Sequence, residues 1–330
     1  MKFPTISIIL PRREQDSSEQ AIQAVLHSDY PSECLEIIET IGNHPSTQRN
    51  RAAAMAQGEL LYFLDNDSFV SPMLFRQIAR HYDTGNPQEI IAVGGPNVTP
   101  DTDSILQQLA GHALASPFAH AKMAARYVPS GGIREAGEQE LILCNLSIRR
   151  DIFLKEGGFN EELYPNEENE FITRLRRKGY RFLYDPNVVV SRSRRTHVGA
   201  FMRQMFGYGR GRARQTLVEG FSRHSLLFFL PSTLLLYLCA LPFLTAPFGR
   251  MAWCPGIVYV SGAVGSALFQ CGWRQRYWKF VPLLPFWFLL MHLSYGAGML
   301  YGFAAPHPPR KPGAANADIR LVRRKTLSNR

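Results

Sequence analysis

One acidic pair in this chain has a spacing that could do chemistry, and a second acidic run stands further on. The first is Asp65-Asn66-Asp67, directly after the apolar run "LLYFL". In extended backbone, side chains at i and i+2 point the same way, so the two carboxylates sit side by side. They repel each other unless a cation or a donor joins them. A hard divalent ion fits that geometry, held by one or two carboxylates and completed by a ligand's phosphate oxygens. A strand-to-helix turn, with Asp67 or Ser68 capping the next helix, fits the same residues. The second cluster is Glu167-Glu168, with Glu170 close by, at the head of "EFITRLRRKG". Negative charge there also favours the positive end of a helix dipole. The five cysteines form no CxxC pair and have no histidine at ligand spacing. They read as buried thiols in a reducing compartment, without a zinc site or a disulfide framework.

The elements that must position these acids alternate. "TISIILP" is a short β-branched run ended by Pro11, hence a buried strand. Residues 17–27 have helical spacing, with Ala21, Ile22, Ala24 and Val25 on one face. "LEIIETIG" is a second strand, and "TQRNRAAAMAQG" is a helix closed by Gly58. "ELLYFLD" is a third strand, followed by the helix "SPMLFRQIARHY" with Pro72 in its first turn and then the strand "EIIAVGG". This alternation predicts a three-layer α/β domain with a largely parallel sheet. In such sheets ligands bind beyond the carboxyl ends of the strands. Pro11, Gly42 and Asp65 all stand at such ends and should face one crevice.

The last third of the chain is different. Three windows, 225–248, 251–273 and 280–303, hold no Lys, Arg, Asp or Glu. Each has roughly the 20 residues a hydrocarbon core requires. Before them stand Arg192, Arg194, Arg195, Arg203, Arg210, Arg212, Arg214 and Arg223, with Glu219 the only acid. By the positive-inside rule that side is cytoplasmic, as is the loop 274–279. Three crossings would put the basic tail, with Arg310, Lys311, Arg320, Arg323, Arg324, Lys325 and Arg330, on the far side, against the same rule. The Pro-broken first window is the best candidate for an interfacial or re-entrant segment, so two and three spans both stay open. The N-terminus lacks the longer apolar stretch and small-residue cleavage site of a signal peptide.

Several motifs recur together in order: "SIILP", "QRNRAAAMAQGELLYFLDND", "VGGPNVTP", "CNLSIRRDIFLKEGGFNEELYPNEENEFITRLRRKGYRFLYDPNVVV" and "FMRQMFGYGRGRARQ". Over about residues 5–215 the chain resembles the family 2 glycosyltransferases of membrane-anchored bacterial type. The resemblance implies a GT-A (Rossmann-like) three-layer α/β/α domain followed by C-terminal transmembrane helices. It also implies boundaries: a GT-A domain at 1–190, an amphipathic Arg-rich interface segment at 191–224, a transmembrane region of two or three helices at 225–303, and a basic, flexible tail at 304–330.

Further expectations come with the resemblance, residue by residue. Asp65 and Asp67 would bind Mg or Mn and, through it, the diphosphate of a nucleotide-sugar donor, with Asp67 the more direct ligand. Pro11, Glu39, Arg49, Asp65, Asn66, Gly94 and Gly95 would line the donor site. Glu167 and Glu168 match the family's acidic pair. Glu168 stands where the family has Asp and would be the base for an inverting transfer, with Glu170 the alternative. Asn145 and Arg149 match the segment at the donor–acceptor junction. Gln204 matches the first position of Q-x-x-R-W, the motif that holds acceptor and diphosphate in processive members. Gly207 and Tyr208 replace its Arg and Trp, and Arg210 follows closely. Two further departures stand out. No "DDGSTD"-like stretch follows the second strand, where Glu39 is the nearest acid, and Arg192 occupies the position of the family's metal-binding His.

The implied activity is transfer of a sugar to a lipid-linked or glycan acceptor at the cytoplasmic face of the inner (plasma) membrane, by a multi-pass protein, in polysaccharide or glycolipid synthesis. A processive polysaccharide synthase and a non-catalytic membrane scaffold are the alternatives. The net charge of +10 invites a nucleic-acid reading. The excess charge beside the apolar windows and the lack of any nucleic-acid-binding motif argue against it.

Overall fold

The computed structural model describes residues 3–83, 90–221, 223–274, 277–305 and 319–325. In chain order its strands and α-helices are β1 (Ile6–Arg12), α1 (Glu19–Leu26), β2 (Leu35–Ile41), α2 (Pro45–Met55), β3 (Leu60–Leu64), β4 (Ser68–Val70), α3 (Leu74–Arg80), β5 (Ala92–Gly94), β6 (Asn97–Val98), α4 (Ile105–Leu114), α5 (Pro117–His120), β7 (Arg134–Glu135), β8 (Asn145–Arg149), α6 (Arg150–Lys155), α7 (Glu167–Arg177), β9 (Phe182–Tyr184), β10 (Val190–Arg192), α8 (Val198–Glu219), α9 (Leu230–Phe248), α10 (Cys254–Ala267), α11 (Leu284–Ala304) and β11 (Arg320–Lys325). They fall into two compact units. The first comprises Met1–Pro100, Ala125–Ser193 and Pro309–Arg330, and the second Asp101–Ala124 and Arg194–Pro308. This division differs from the boundaries expected from sequence. Residues 101–124 group with the apolar helices, and the basic tail supplies a strand to the first unit.

The first unit is built on a sheet of order β11-β2-β1-β3-β8-β5-β9-β7. The pairs β1–β2 and β1–β3 are parallel, as the sequence suggests. Beyond β3 the sheet is mixed. β8 runs antiparallel to both β3 and β5, while β5 and β9 are parallel. The expectation of a largely parallel sheet therefore holds only for its N-terminal half. β1 and β2 are apolar because both faces are covered. Ile9, Ile38, Leu61 and Phe63 face one core with Phe153, Phe159 and Phe171. Ile8, Leu10, Ile37, Tyr62 and Leu64 face the other, with Ile22, Val25, Leu74 and Phe75 of α1 and α3. The alternation of neighbouring residues between two cores makes three layers.

Helix α2 stops at Met55, short of Gly58. A Cβ at Gly58 would lie 2.6 Å from the Ser7 amide nitrogen, so this glycine lets the chain pass close to β1. A small sheet, β4-β10-β6, lies at the edge of the acidic loop, with Arg192 opposite Ser68.

In the second unit, α8 and α11 pack through glycines. A Cβ at Gly298 would lie 2.0 Å from the Phe206 carbonyl oxygen, and one at Gly209 would lie 2.0 Å from that of Tyr295. Small residues allow helix backbones to approach this closely. Trp287, Phe288, Met291 and Met299 of α11 are buried. Among the described residues, one helical run, Leu226–Trp273, is long and apolar enough to cross a membrane, with mean hydropathy 2.1. This differs from the expected two or three separate spans. The first two windows form a single run, and the third is α11, against α8. Pro242 and Pro247 do not break α9; the sharp change comes at Gly249, with φ +53°. Past it the chain folds back, and the Tyr237 hydroxyl donates to the Ala252 carbonyl at 2.8 Å. Cys34, Cys144 and Cys271 are buried as expected, but Cys239 and Cys254 are exposed, on the α9 and α10 surfaces.

Candidate active site

The site lies in the first unit, beyond the carboxyl ends of β1, β2 and β3. Asp65 follows the last residue of β3, and a turn carries the chain into β4, with the Ser68 amide donating to the Asp65 carbonyl at 3.1 Å. A strand follows the acidic pair directly, so the helix-capping alternative for Asp67 and Ser68 is ruled out. Asn66 donates to the Ser17 carbonyl at 3.0 Å and ties the loop to the segment before α1.

Two arginines meet the acidic pair. Arg192 places Nη1 2.6 Å from Asp65 Oδ2 and Nε 2.7 Å from Asp67 Oδ1. The β4–β10 register brings it there, at the position where the sequence departs from the family's histidine. Arg49, on α2, donates through Nη2 to Asp65 at 3.1 Å and through Nη1 to Glu167 at 2.9 Å. Burial alone would lower the Arg49 pKa, but the charges of Asp65 and Glu167 outweigh it and hold the pKa above its ordinary value. α2 itself is anchored by Gln48, whose side chain donates to the Arg12 and Thr40 carbonyls at 3.0 and 2.8 Å.

The first turn of α7 brings the second acidic cluster to the same place, with Glu167, Glu168 and Glu170 all buried. Burial, and then the neighbouring Glu168, push Glu167 up to about 7, with Arg49 opposing. Glu168 lies 3.7 Å from Arg126 Nη1. Arg126 also donates to Asn169 Oδ1 at 2.5 Å and to the Glu138 carbonyl. Glu170 turns elsewhere. Its Oε1 accepts from Arg174 Nε at 2.7 Å, and Arg174 in turn donates to the Glu156 and Gly158 carbonyls.

The remaining expected residues divide. Glu39 is fully buried at the end of β2 and accepts from Arg12 Nε at 2.7 Å and from the Ser18 hydroxyl. Pro11 is the penultimate residue of β1, opposite Thr40. Gly94 and Gly95 serve packing: a Cβ on Gly95 would lie 2.0 Å from the Val188 carbonyl oxygen. Asn145 is buried, with its amide donating to the Pro96 and Val188 carbonyls and its oxygen accepting from Tyr62. The expected contact to acceptor or diphosphate is thus replaced by a structural role. Arg149 stands opposite Leu60, at the other end of β3 from Asp65, with its guanidinium over the Tyr82 ring. It does not join the cluster. Gln204, Tyr208 and Arg210 lie on α8 in the second unit, where Gln204 Nε2 donates to the Tyr208 hydroxyl at 2.7 Å.

Sequence reasoning missed Arg126 and Asn50. The Asn50 side chain pairs with both the amide and the carbonyl of Phe159 at 2.9 Å, beside Gly158 with φ +68°. One helix turn thus sends Arg49 to the acids and Asn50 to the "GGF" bend. The adjacency of "RN" and "GGF" to the acidic motifs was the available signal for Asn50. Arg126 ends a short 3-10 helix, Ala121–Arg126, with no such signal.

Among the described residues, no group of three or more His, Cys, Asp or Glu could hold a metal ion. Arg192 joins the two carboxylates as a bridging cation would, so a hard divalent ion fits this pair only where it displaces that guanidinium and takes its other ligands from phosphate and water. A cleft of about 360 Å³ lined by Glu135, Arg176, Arg177 and Tyr180 shares no residue with the cluster.

The mixed α/β sheet of the first unit matches the GT-A class of fold. The profile described as "Glycosyl transferase family group 2" matches residues 60–301, and the chain belongs to that family. Among its relatives is succinoglycan biosynthesis protein ExoA of Rhizobium meliloti (strain 1021), 32% identical over 155 residues. That match spans 46% of this chain and 44% of the relative's length. Among solved structures, mannosyltransferase PcManGT from Pyrobaculum calidifontis, in complex with GDP-Man and Mn2+, aligns over 91% of this chain and 87% of its own, at 16% identity and TM-score 0.58. At that identity the likeness concerns the fold.

Proposed function

We propose that this chain is an inverting glycosyltransferase that moves one sugar from a nucleotide-diphosphate sugar to a lipid-linked or glycan acceptor at the cytoplasmic face of the inner membrane, in polysaccharide or glycolipid synthesis. The observation that carries the reading is the cluster itself. The Asp65/Asp67 pair and the Glu167-Glu168 pair, about a hundred residues apart in sequence, converge at the strand ends, with Arg49 bridging Asp65 and Glu167 and Arg192 joining Asp65 and Asp67.

Glu168 is the base. Its carboxylate takes the proton of the acceptor hydroxyl, the oxygen attacks the anomeric carbon from the far side, and the bond to the diphosphate breaks with its electron pair leaving on phosphate. Glu170 is engaged by Arg174, which favours Glu168. Asp65 and Asp67 would hold Mg2+ or Mn2+, which supplies Lewis-acid neutralisation of the leaving diphosphate. Arg49 and Arg192 hold fixed positive charge beside the acids and keep the loop in place before the donor arrives. PcManGT was solved with GDP-Man and Mn2+, which supports a nucleotide-sugar and a divalent ion in this fold. The link to polysaccharide synthesis follows the ExoA relative. Replacement of the Arg and Trp of the processive motif by Gly207 and Tyr208 favours single transfer. Membrane attachment rests on the apolar run Leu226–Trp273.

The test is a screen of the purified chain against UDP-, GDP- and dTDP-sugars with Mn2+ or Mg2+. Thermal shift and transfer are measured for the wild type, Asp67→Ala and Glu168→Gln. Asp67→Ala should lose donor-dependent stabilisation, whereas Glu168→Gln should keep it and lose transfer. Full transfer by both variants would remove the assignment.

A further inference from the structure

The sequence leaves open whether the chain passes the bilayer two or three times, because a third crossing strands a basic tail on the wrong side. The tail settles the parity. β11 pairs antiparallel with β2 from Arg320 opposite Ile41 to Lys325 opposite Ile37, so the tail is an edge strand of the same sheet that carries the acidic site. Leu321 packs on the core that contains Ile38, Leu61 and Phe63. Arg320 Nη2 lies 3.1 Å from Glu14 Oε1, in the segment after β1. One folded unit therefore contains both Ala125–Ser193 and Pro309–Arg330.

A sheet cannot be shared across a bilayer, since every backbone polar group inside hydrocarbon must find a partner. The stretch between α11 and β11, "PHPPRKPGAANAD", is short and carries Arg310, Lys311 and Asp318. It cannot serve as a hidden return span. α11 is bound along α8 through Gly209, Gly298 and Gly302. α8 carries Arg203, Arg210, Arg212 and Arg214, too many charges for the hydrocarbon core. α11 is therefore the window that stays out.

We infer that the chain leaves and re-enters the same side of the membrane. The number of crossings between residues 193 and 309 is even, α9 and α10 cross together or not at all, and the basic tail lies with the catalytic unit, clipped to the edge of β2. This rests on the membrane attachment proposed above. It also removes the conflict with the positive-inside rule, because the tail's cations then share the side of Arg192–Arg214.

Two measurements on the full chain test it. Thr40→Cys with Leu321→Cys places two thiols on directly opposed strand residues, within disulfide reach. Mild oxidation should give a linked peptide by mass spectrometry that neither single variant gives. Its absence in a folded, membrane-bound chain overturns the clip. A short epitope after Arg330 should resist protease in spheroplasts, whose inner membrane is exposed on its outer face, and be cut once that membrane is permeabilised. Cleavage in intact spheroplasts puts the tail outside and overturns the even count. Recovery of the chain in the soluble fraction, with the cross-link still formed, overturns the membrane reading and the topology that rests on it while leaving the clip standing.

Discussion

The two units are packed by opposite means. In the first, the site holds charges out of water: Arg49, Arg126, Glu167, Glu168 and Glu170 are all buried, and their pairing defines the geometry. In the second, α8 and α11 meet through missing side chains, with backbone against backbone at Gly209 and Gly298. Buried charges are costly and fix specific partners, whereas glycine contacts are close and indifferent to charge. Damage to the first should therefore appear in activity and pH dependence, and damage to the second in stability alone.

The largest expected effect is on rate. With Glu168 as the proposed general base, Glu168→Gln should lower kcat by about 10²–10⁴-fold, with little change in thermal midpoint. A variant that keeps its rate would move the base elsewhere. Arg49→Met leaves buried Glu167 without its cation, while half-buried Asp65 keeps Arg192. It should cost roughly 3–5 kcal/mol in denaturant unfolding; a loss well under 1 kcal/mol would mean the charges are not held as described.

The Glu167 effect has a definite sign. Its carboxyl is raised from 4.5 to about 7 in the fold, so the native state binds its proton more tightly than the unfolded chain. Stability should be greatest below pH 4.5 for this group and fall by about 3 kcal/mol as pH rises through 7. Glu167→Gln should flatten that slope in urea titrations between pH 5 and 8. A slope that persists unchanged would place the titration on another group.

In the second unit, Gly298→Ala drives a methyl into the Phe206 carbonyl. It should cost about 1–3 kcal/mol as overpacking, without shifting the pH profile. A changed profile would erase the contrast between the units. The smallest effect belongs to Tyr237→Phe, which removes a hydroxyl bonded to the Ala252 carbonyl. It should cost about 1 kcal/mol in thermal unfolding; no loss would mean the turn at Gly249 holds without the bond.

Local chemistry made part of this legible in the sequence. β1, β2 and β3 announce themselves as apolar runs because both faces are covered, and Asp65 and Asp67 stand out because they end one. Pairing at long range was not legible. Arg192 reaches the acids only through the β4–β10 register, and Asn145 looks like a site residue until its amide is seen bonded to Pro96 and Val188. β11 hides within a polar tail because "RLVRRK" gains its apolar contact from a core about 280 residues earlier. Residues 101–124 carry no signal that they group with the apolar helices.

The discontinuity of the first unit also orders events in time. On the ribosome, β2 emerges early and β11 only after the apolar helices have been made. Until then the outer edge of β2 shows unpaired amides and carbonyls, the kind of edge that recruits foreign strands. Capping of the catalytic sheet thus waits on synthesis of the helical segment. A chain that stalls there would carry an assembled acidic site beside an open, adhesive border.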